Sequence, residues 1–352
     1  MWTIPTPELA RRGRHERLRH VWLGMLLFAA ALTARTFDTY VLDVEGGKAV
    51  LVVSPAGESL LFDAGWPGFG GRDTDRIIQA ARAAGLQQID YLVVSHYDTD
   101  HLGDVPLLVS RFPVKHIVDN GALRTSGKGV EKRYAPYAAV RDKMNHLAVK
   151  PGDRIPIRGV DALVVTAGGR VLPRPLQGAG KPNPLCTTTP ARPEIPQDLE
   201  DNQSIGLLFT FGKFRMLDLA DLEWAYDHKL MCPANPIGRV DVYQVSIHGQ
   251  DKGVSPVLAQ ALGARVAIMG NGAKKGGAPA TWPTLRNAPG MEDIWQVHYS
   301  LAGDEKTNPP ENFIANADAN CEGKWIKVEA SAEGTFTVTN GRNGFRKTYK
   351  RQ

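Results

Sequence analysis

A six-residue segment directly after an apolar stretch carries four side chains that can bind metal. Its sequence is His96-Tyr97-Asp98-Thr99-Asp100-His101, and the apolar stretch before it is Tyr91-Leu92-Val93-Val94. Alternate side chains of an extended backbone point the same way, so His96, Asp98 and Asp100 can converge. His101 can join them where the chain turns into a following helix. Imidazole and carboxylate ligands favour zinc, manganese or iron, and hydrolysis is the chemistry that such a site most often performs.

The same residue types also occur in ordinary turns. Asp and His cap helices and stabilise turns after strands, so a single His-x-Asp pair is typical of a turn. Four such groups in one loop without a cation would leave carboxylates repelling one another at short range. The density of ligands therefore favours a metal site over a solvated turn.

Three further positions place metal-capable or supporting side chains after predicted strands. Asp63 begins Asp63-Ala64-Gly65 after one strand, Asp221 follows a predicted hairpin, and His248 follows another strand. Open sheets build their sites from groups at several strand ends. We therefore expect Asp221 and His248 to meet the segment that begins at His96.

The elements that must position these residues follow from the spacing of apolar side chains. Two-residue alternation and short apolar runs predict strands over 37–44, 48–53, 59–62, 89–94, 114–118, 161–166, 204–211, 214–217, 240–246, 266–269, 325–328 and 335–338. Helical spacing predicts helices over 73–84, 104–111, 134–144 and 256–262. Residues 168–200 are crowded with Pro, Gly, Arg and Lys, and we interpret them as a loop insert that forms an ordered flap near the site.

With these motifs in order, the chain resembles the metallo-β-lactamase superfamily, whose pattern is His-x-His-x-Asp-His. Asp98 replaces the second His and makes the segment similar to the ComEC-type DNA-uptake competence hydrolases, which carry His-x-Asp-x-Asp-His. Asp201-Asn202-Gln203-Ser204 is similar to the Asn-rich turn of that subgroup. Ser246-Ile247-His248-Gly249 matches its Ser-His-His-Gly, with Ile247 in place of the first His.

The resemblance implies an α/β fold, an αββα sandwich of two mixed sheets flanked by helices, with the site at one edge. It also implies a role for each motif residue. His96 and Asp98 would bind a first metal, with Asn202 or, as the alternative, Asp201 as an additional ligand. Asp100, His101 and His248 would bind a second metal, Asp221 would bridge the two, and Asp63 would orient the loop. Asp100 and Asp221 would be essential for catalysis. The cofactor would be one or two zinc ions, with manganese or iron as alternatives.

The predicted function is a metal-dependent hydrolase that uses a metal-activated water. A small-molecule or nucleic-acid phosphodiester is the favoured substrate, and a carboxylic ester, lactone or lactam bond is the alternative. A non-catalytic exported binding protein with a degenerate metal site is a third hypothesis. Lys274 and Lys275 lie in a glycine-rich loop that could bind substrate phosphate, although a solvated glycine turn has the same pattern.

Composition limits the class of protein and its partners. The 352 residues are 43% hydrophobic and 22% charged, which is typical of a globular protein and not of a disordered one. The formal net charge is only +5, and arginines and lysines crowd both ends of the chain. Charge therefore gives no strong signal of nucleic-acid binding.

The amino terminus has the pattern of a targeting segment. Several arginines precede an apolar run over 21–34, which is shorter than the about 20 residues that a membrane span needs. We predict a signal peptide or N-terminal anchor over 1–35 and a hydrolase domain over 36–352. The protein is then exported, either periplasmic or secreted, and an uncleaved segment would be its only membrane attachment.

The three cysteines fit an exported protein. Cys186 and Cys232 lie in irregular segments rich in Pro and Asn, and we predict a disulfide between them. Cys321 is then left as a free thiol.

Overall fold

The computed structural model describes residues 35–127, 129–196, 199–319 and 322–351. Cys321 and residues 1–34 of the predicted leader lie outside the described residues. Within the described part of the chain, no helix is long and apolar enough to cross a membrane.

The described residues form a series of strands with α-helices between some of them. The strands are β1 (Phe37–Val41), β2 (Val50–Val53), β3 (Ser59–Phe62), β4 (Ile89–Val93), β5 (Val114–Asp119), β6 (Asn145–Ala148), β7 (Arg154–Ile155), β8 (Asp161–Ala167), β9 (Arg170–Val171), β10 (Lys181–Pro182), β11 (Gly206–Phe211), β12 (Phe214–Asp218), β13 (Ala234–Asn235), β14 (Val242–Gln244), β15 (Val266–Met269), β16 (Asp293–His298), β17 (Ile314–Asn316), β18 (Ile326–Ala330), β19 (Phe336–Asn340) and β20 (Arg346–Tyr349). The α-helices are α1 (Arg72–Ala83), α2 (Thr99–Leu102), α3 (Val105–Arg111), α4 (Val130–Arg141), α5 (Trp224–Met231), α6 (Pro256–Leu262) and α7 (Thr281–Arg286). Short 3-10 helices cover Phe69–Gly71, Pro184–Thr187, Asp201–Gln203, Ser246–Gly249 and Glu311–Phe313.

These strands form two large mixed sheets. The first has the order β20-β19-β18-β1-β2-β3-β4-β5-β6, and its strands β3 to β6 are parallel. The second has the order β17-β16-β15-β14-β12-β11-β8-β7, with β9 paired to β8, and β12, β14, β15, β16 and β17 run parallel. The small pair β10–β13 ties the predicted insert to the segment after α5.

The core lies between the two sheets, and the helices cover their outer faces. Phe37 and Val328 of the first sheet belong to one buried apolar cluster with Phe209 and Trp295 of the second. A second cluster joins the outer face of the second sheet to α5 and α6, and a third joins the outer face of the first sheet to α1, α3 and α4. The predicted fold class, two mixed sheets flanked by helices, is confirmed.

The ends of three parallel strands determine where the site forms. The segment from His96 follows β4, Asp221 follows β12, and His248 follows β14. Parallel strands present their carboxyl ends at one edge of a sheet, where open α/β sheets collect ligands. The predicted disulfide is also confirmed, because Cys186 and Cys232 are bonded, with their Cα atoms 5.7 Å apart.

Candidate metal site

Four side chains from three strand ends converge at this edge. One ligand atom from each of Asp100, His101, Asp221 and His248 lies within 4.8 Å of the others, and we call these four residues the primary cluster. His101 Nε2 is 3.3 Å from Asp100 Oδ2 and also 3.3 Å from Asp221 Oδ2. His248 Nε2 is 3.3 Å from the same Asp100 atom and 3.2 Å from that of Asp221.

The chemistry of this cluster fits a divalent ion. The Nε2 atoms of His101 and His248 are buried and have no hydrogen-bond partner among the described residues. Buried polar atoms are almost always partnered, so two such nitrogens aimed at two carboxylates call for a ligand between them. Two imidazoles and two carboxylates form a donor set suited to zinc, iron or manganese.

The backbone around Asp221 and His248 is held in left-handed conformations. Ala220 has φ 51°, and Ile247 and His248 have φ 48° and 52°. Non-glycine residues occupy this region at a cost, and they keep it where surrounding contacts enforce it. Here the Ala220 N–H donates to Asp218 Oδ1 over 3.0 Å, and the Ile247 N–H donates to the Ala220 carbonyl over 3.0 Å. The turn that carries Asp221 is thus bonded directly to the turn that carries His248.

Asp63 holds the segment from Ser95 to His101 in place through hydrogen bonds. Its Oδ1 accepts the Ser95 N–H over 2.7 Å, and its Oδ2 accepts from the Ser95 hydroxyl over 2.7 Å and contacts His101 Nδ1 at 2.8 Å. An ionised carboxylate can only accept, so His101 Nδ1 keeps a proton and Nε2 is the nitrogen that can give its lone pair to a cation. The Gly270 carbonyl, 3.2 Å from His248 Nδ1, fixes the second imidazole in the same way.

The carboxylates and the imidazoles of the primary cluster shift one another's pKa values. Burial alone would raise the pKa of Asp100, but His101 and Lys275 hold it well below its usual range. Burial is likewise outweighed at Asp221, where His248 and His101 keep the carboxyl pKa well below its ordinary value. For His101, burial is opposed by the carboxylates of Asp221 and Asp100, and the imidazole pKa rises well above its usual value. Both carboxylates are therefore ionised and ready to bind a cation.

A second group shares Asp221 with the first. One ligand atom from each of His96, Asp201 and Asp221 lies within 4.8 Å of the others, and we call these three residues the secondary cluster. His96 Nε2 has no hydrogen-bond partner within the described ranges and lies 3.8 Å from Asp201 Oδ1. Burial and the neighbouring His101 lower the pKa of His96 to about 4, so its imidazole is neutral.

Asp201 is the least available ligand of the secondary cluster. Its Oδ2 is 2.6 Å from the ammonium of Lys252. Burial and the nearby Asp221 carboxylate raise the pKa of Asp201 well above its usual value. A cation at this position therefore competes with both a proton and a lysine.

Two predicted ligands of the first metal lie outside both clusters. Asp98 is ion-paired with the guanidinium of Arg133, which also donates to the Tyr97 carbonyl. The Asn202 side-chain amide donates to Glu223 Oε2 over 2.8 Å. Asp201, the neighbour of Asn202, is the residue of this turn that approaches His96.

The glycine-rich loop after β15 packs against the site, and its two lysines differ in their contacts and exposure. The Lys275 ammonium is ion-paired with Asp100 and lies 4.7 Å from the centre of the Trp66 ring, whereas Lys274 is exposed. Gly276 has φ 83°, and a Cβ built there would lie 2.1 Å from the His248 carbonyl oxygen. Glycine is thus required for the close approach that brings Lys275 to the cluster.

Several supporting residues gave no sequence signal. Lys48 is buried, with its ammonium 2.6 Å from Asp218 Oδ2, and its backbone N–H donates to the Asp100 carbonyl over 3.0 Å. The Ser204 hydroxyl accepts the Asp221 N–H over 3.3 Å. A buried lysine in an apolar strand pattern could have signalled an internal ion pair, but its partner is 170 residues away.

In a third group of potential metal ligands, an arginine already compensates the negative charge. Asp43, Glu45 and His298 have ligand atoms within 4.8 Å of one another. The Arg76 guanidinium is 3.0 Å from Asp43 Oδ2 and 3.7 Å from Glu45 Oε1. Since an arginine supplies the positive charge, we interpret this group as an internal ion-pair network that ties α1 to the loop before β2.

The family comparison agrees with this fold. A family model of the metallo-beta-lactamase superfamily matches residues 42–198. This match and the two mixed sheets flanked by helices support the metallo-β-lactamase superfamily fold. No curated protein matches the chain.

Solved structures are similar at low identity. CmlA, a diiron β-hydroxylase from Streptomyces venezuelae, is 16% identical over 65% of this chain and 44% of its own, with a TM-score of 0.36. A protein described as a metal-dependent hydrolase from Parabacteroides distasonis is 14% identical over 74% of this chain and 93% of its own, with a TM-score of 0.42. A metallo-β-lactamase from Cronobacter sakazakii is 15% identical over 52% of this chain and 60% of its own, with a TM-score of 0.31. The chain thus spans less than two thirds of the length of the hydroxylase and of the lactamase.

Proposed function

We propose that this protein is a metal-dependent hydrolase whose primary cluster holds a divalent ion, with zinc as the first candidate and manganese or iron as alternatives. One observation carries the proposal. Two buried imidazole nitrogens without hydrogen-bond partners among the described residues face two carboxylates that are held ionised. The residues that would bind the ion are Asp100, His101, Asp221 and His248.

An ion held there would supply Lewis-acid activation of a water nucleophile. The chain's own residues prepare the position. Asp63 holds Nδ1 of His101 as a donor, and the Gly270 carbonyl does the same for His248, so Nε2 is the atom of each imidazole that would bind the ion. Burial of Asp100 and Asp221 excludes competing solvent from their carboxylates.

A second ion would occupy the secondary cluster and share Asp221. That position offers one neutral imidazole and Asp201, whose carboxylate is already engaged by Lys252. Asp98 is drawn to Arg133 and supports the position less than the sequence pattern implied. We therefore propose one tightly bound ion and a second, weaker one.

A phosphodiester is the substrate bond that we favour. The His-x-Asp-x-Asp-His pattern is shared with the ComEC-type hydrolases, and Lys275 places an ammonium beside Asp100 at the cluster. An anionic group bound next to the ion would gain a second cationic partner there. A carboxylic ester, lactone or lactam is the rival substrate class. Because the bond in such a substrate is neutral, the ammonium of Lys275 would not favour its binding.

Export is part of the same proposal. The Cys186–Cys232 disulfide is the kind of bond that persists in oxidising compartments. The apolar segment over 21–34 would direct the chain there. We propose a periplasmic or secreted enzyme, attached to a membrane only if that segment stays uncleaved.

The test combines metal content with turnover. The purified protein should contain one to two equivalents of metal by elemental analysis and should hydrolyse bis(p-nitrophenyl) phosphate. Asp100→Ala should lose both the tightly bound ion and the activity, whereas Asp161→Asn, an exposed control at the start of β8, should keep both. Full activity in Asp100→Ala would contradict the proposed chemistry, and a wild-type protein without metal or turnover would favour a non-catalytic binding protein.

A second variant separates the two substrate classes. Lys275→Gln should lower kcat/KM for the anionic phosphodiester about tenfold, the effect of one lost charge-assisted contact, and leave turnover of neutral p-nitrophenyl acetate unchanged. Its metal content is measured in parallel, because Lys275 also contacts Asp100. Equal losses on both substrates at unchanged metal content would remove the argument for a phosphodiester.

A further inference from the structure

A cavity of about 580 Å³ lies between the insert and the end of α6. We call it the insert cavity. Its walls come from residues 177–179 and 181–185 of the insert, from Asn235 and 237–239, and from Gln260, Ala261 and Pro289. Arg215, at the start of β12, also lines it. Asp221 of the primary cluster follows the other end of the same strand, so the insert cavity and the candidate metal site lie at opposite ends of β12.

The charged residues of the insert cavity are all cationic. Lys181, Arg215 and Arg239 line it, and among the described residues its lining contains no Asp or Glu. The Arg215 guanidinium donates to the carbonyls of Arg239 over 2.6 Å and Ile237 over 2.8 Å. No carboxylate in the described chain forms an ion pair with any of the three cations. Arg215 is half-buried, and other half-buried cations among the described residues, such as Lys252 and Arg265, each have a carboxylate partner.

An unpaired, half-buried cation is unfavourable unless something compensates its charge. Burial lowers the pKa of Arg215, which reports the same desolvation. Carbonyl groups satisfy its N–H donors, and the Asp241 carboxylate, which accepts the Arg215 backbone N–H over 2.9 Å, offsets its charge only in part, without an ion pair to the guanidinium. An anion in the insert cavity would compensate the charge of Arg215 and would lie among the three cations.

The remaining lining of the insert cavity is largely apolar. Ile237 is fully buried at its base, and Leu185, Ala179, Pro182 and Pro184 form much of the wall. A volume of about 580 Å³ lies in the range of small-molecule sites, which combine mostly apolar walls with a few placed charges. The complementary ligand has an apolar body and one anionic group.

The wall contributed by the insert is anchored at several points. β10 pairs with β13, and Asn183 Nδ2 donates to the Val257 carbonyl over 3.0 Å. Cys186, directly after this wall, is bonded to Cys232 at the end of α5. The insert cavity is therefore preformed, which reduces the entropy that a ligand must lose on binding.

We infer that the insert cavity binds a small amphipathic anion, a carboxylate or phosphate on an apolar body, at a site separate from the candidate metal site. Lys181, Arg215 and Arg239 would contact the anionic group, and the wall around Leu185 and Ile237 would cover the apolar body. The inference does not depend on the proposed hydrolase activity.

Isothermal titration calorimetry on the complete protein tests this inference with decanoate, decyl phosphate and decyltrimethylammonium. The two anions should bind, and the cation of equal chain length should bind at least about tenfold more weakly, since it meets three like charges. Lys181→Gln combined with Arg239→Gln should weaken anion binding by about tenfold or more. Both positions are exposed, so the double variant should fold normally.

A matched control removes two cations elsewhere. Arg154→Gln combined with Lys213→Gln changes the net charge equally, at exposed residues that pair with Asp161 and Glu333. This control should bind decanoate as the wild type does. The inference is overturned if neither anion binds, if decyltrimethylammonium binds equally well, or if the double variant at Lys181 and Arg239 keeps wild-type affinity.

Discussion

Asp63→Asn is the substitution that most sharply separates folding from metal binding. Asp63 is fully buried, and its two oxygens serve the Ser95 N–H, the Ser95 hydroxyl and His101 Nδ1 at 2.7, 2.7 and 2.8 Å. An asparagine keeps one acceptor oxygen, which must face the Ser95 N–H. Its NH₂ group then faces His101 Nδ1, a donor where the wild type has an acceptor.

This reversal has two measurable consequences. The two bonds made by Oδ2 are replaced by reversed bonds from the neutral NH₂ group. A hydrogen bond to a charged group contributes about 1.5–3 kcal/mol and a neutral one about 0.5–1.5 kcal/mol, so the free energy of unfolding should fall by about 2–3 kcal/mol. The His101 proton should move to Nε2, which removes the lone pair that faces the primary cluster. Loss of such a supporting carboxylate typically weakens metal binding about 10–100-fold, equal to about 1.4–2.7 kcal/mol.

Asp119→Asn is the matched control for this prediction. Asp119 is also fully buried and accepts from the Gly121 N–H, the Tyr137 hydroxyl and His146 Nε2 at 2.7–2.8 Å, away from both clusters. Urea denaturation should show a comparable loss of stability in both variants. Competition with a chromophoric chelator should show weaker zinc binding only in Asp63→Asn. Wild-type zinc affinity in Asp63→Asn, or an equal loss of zinc affinity in Asp119→Asn, would contradict a role of Asp63 in orienting His101.

Three further predictions follow from burial, charge and covalent linkage. Nearby carboxylates outweigh burial and raise the pKa of His101 well above its usual value, so protons compete with the metal for its Nε2. Zinc affinity should therefore fall as pH falls. Calorimetry in buffers of different ionisation enthalpy should detect proton release on zinc binding, and a heat that does not depend on the buffer would contradict this. Burial raises the pKa of Asp227 well above its ordinary value, so the folded state holds its proton above the pH at which the unfolded state loses it, and stability declines as pH rises from about 4 towards the folded pKa. Asp227→Asn should therefore gain stability over the wild type with rising pH in denaturation series, and a constant difference would contradict this. Replacing Cys186 and Cys232 by alanine opens a crosslink across 46 residues and should lower the free energy of unfolding by about 4 kcal/mol, whereas an unchanged urea midpoint would show that the bond adds nothing.

Local pattern was sufficient for the elements that carry the site. The apolar run before His96 predicts a strand over 89–94, and β4 covers Ile89–Val93. The predicted helix over 73–84 matches α1, because its apolar residues recur at helical spacing on one buried face. The turn Gly212-Lys213 forms the predicted hairpin between β11 and β12.

Other elements were misplaced or missed where tertiary contacts outweigh local pattern. The helix expected over 134–144 begins earlier, at Val130, and ends at Arg141. α5 was not predicted, since buried Asp227 interrupts its apolar face. β16 was also missed, because both of its faces are buried and its sequence lacks alternation.

The candidate site shows the same division between local and distant information. His96, Asp100 and His101 lie in one segment, so their proximity could be predicted from spacing. Asp98 and Arg133 are 35 positions apart, and they meet because of where α4 lies in the fold. The spacing of residues in the sequence does not predict this contact. Asp201 was weighed only as an alternative to Asn202, because which of two adjacent side chains faces inward depends on the 3-10 turn at Asp201–Gln203.

The most direct test of the proposed metal site is an anomalous difference map from crystals of the purified protein, recorded at the absorption edge of the metal found by elemental analysis. We predict a peak within about 2.0–2.2 Å of His101 Nε2, His248 Nε2 and carboxylate oxygens of Asp100 and Asp221. A weaker second peak beside His96 and Asp201 would mark the second ion. A metal-replete crystal with its peak elsewhere, or with no peak among these four residues, would contradict the assignment of the primary cluster.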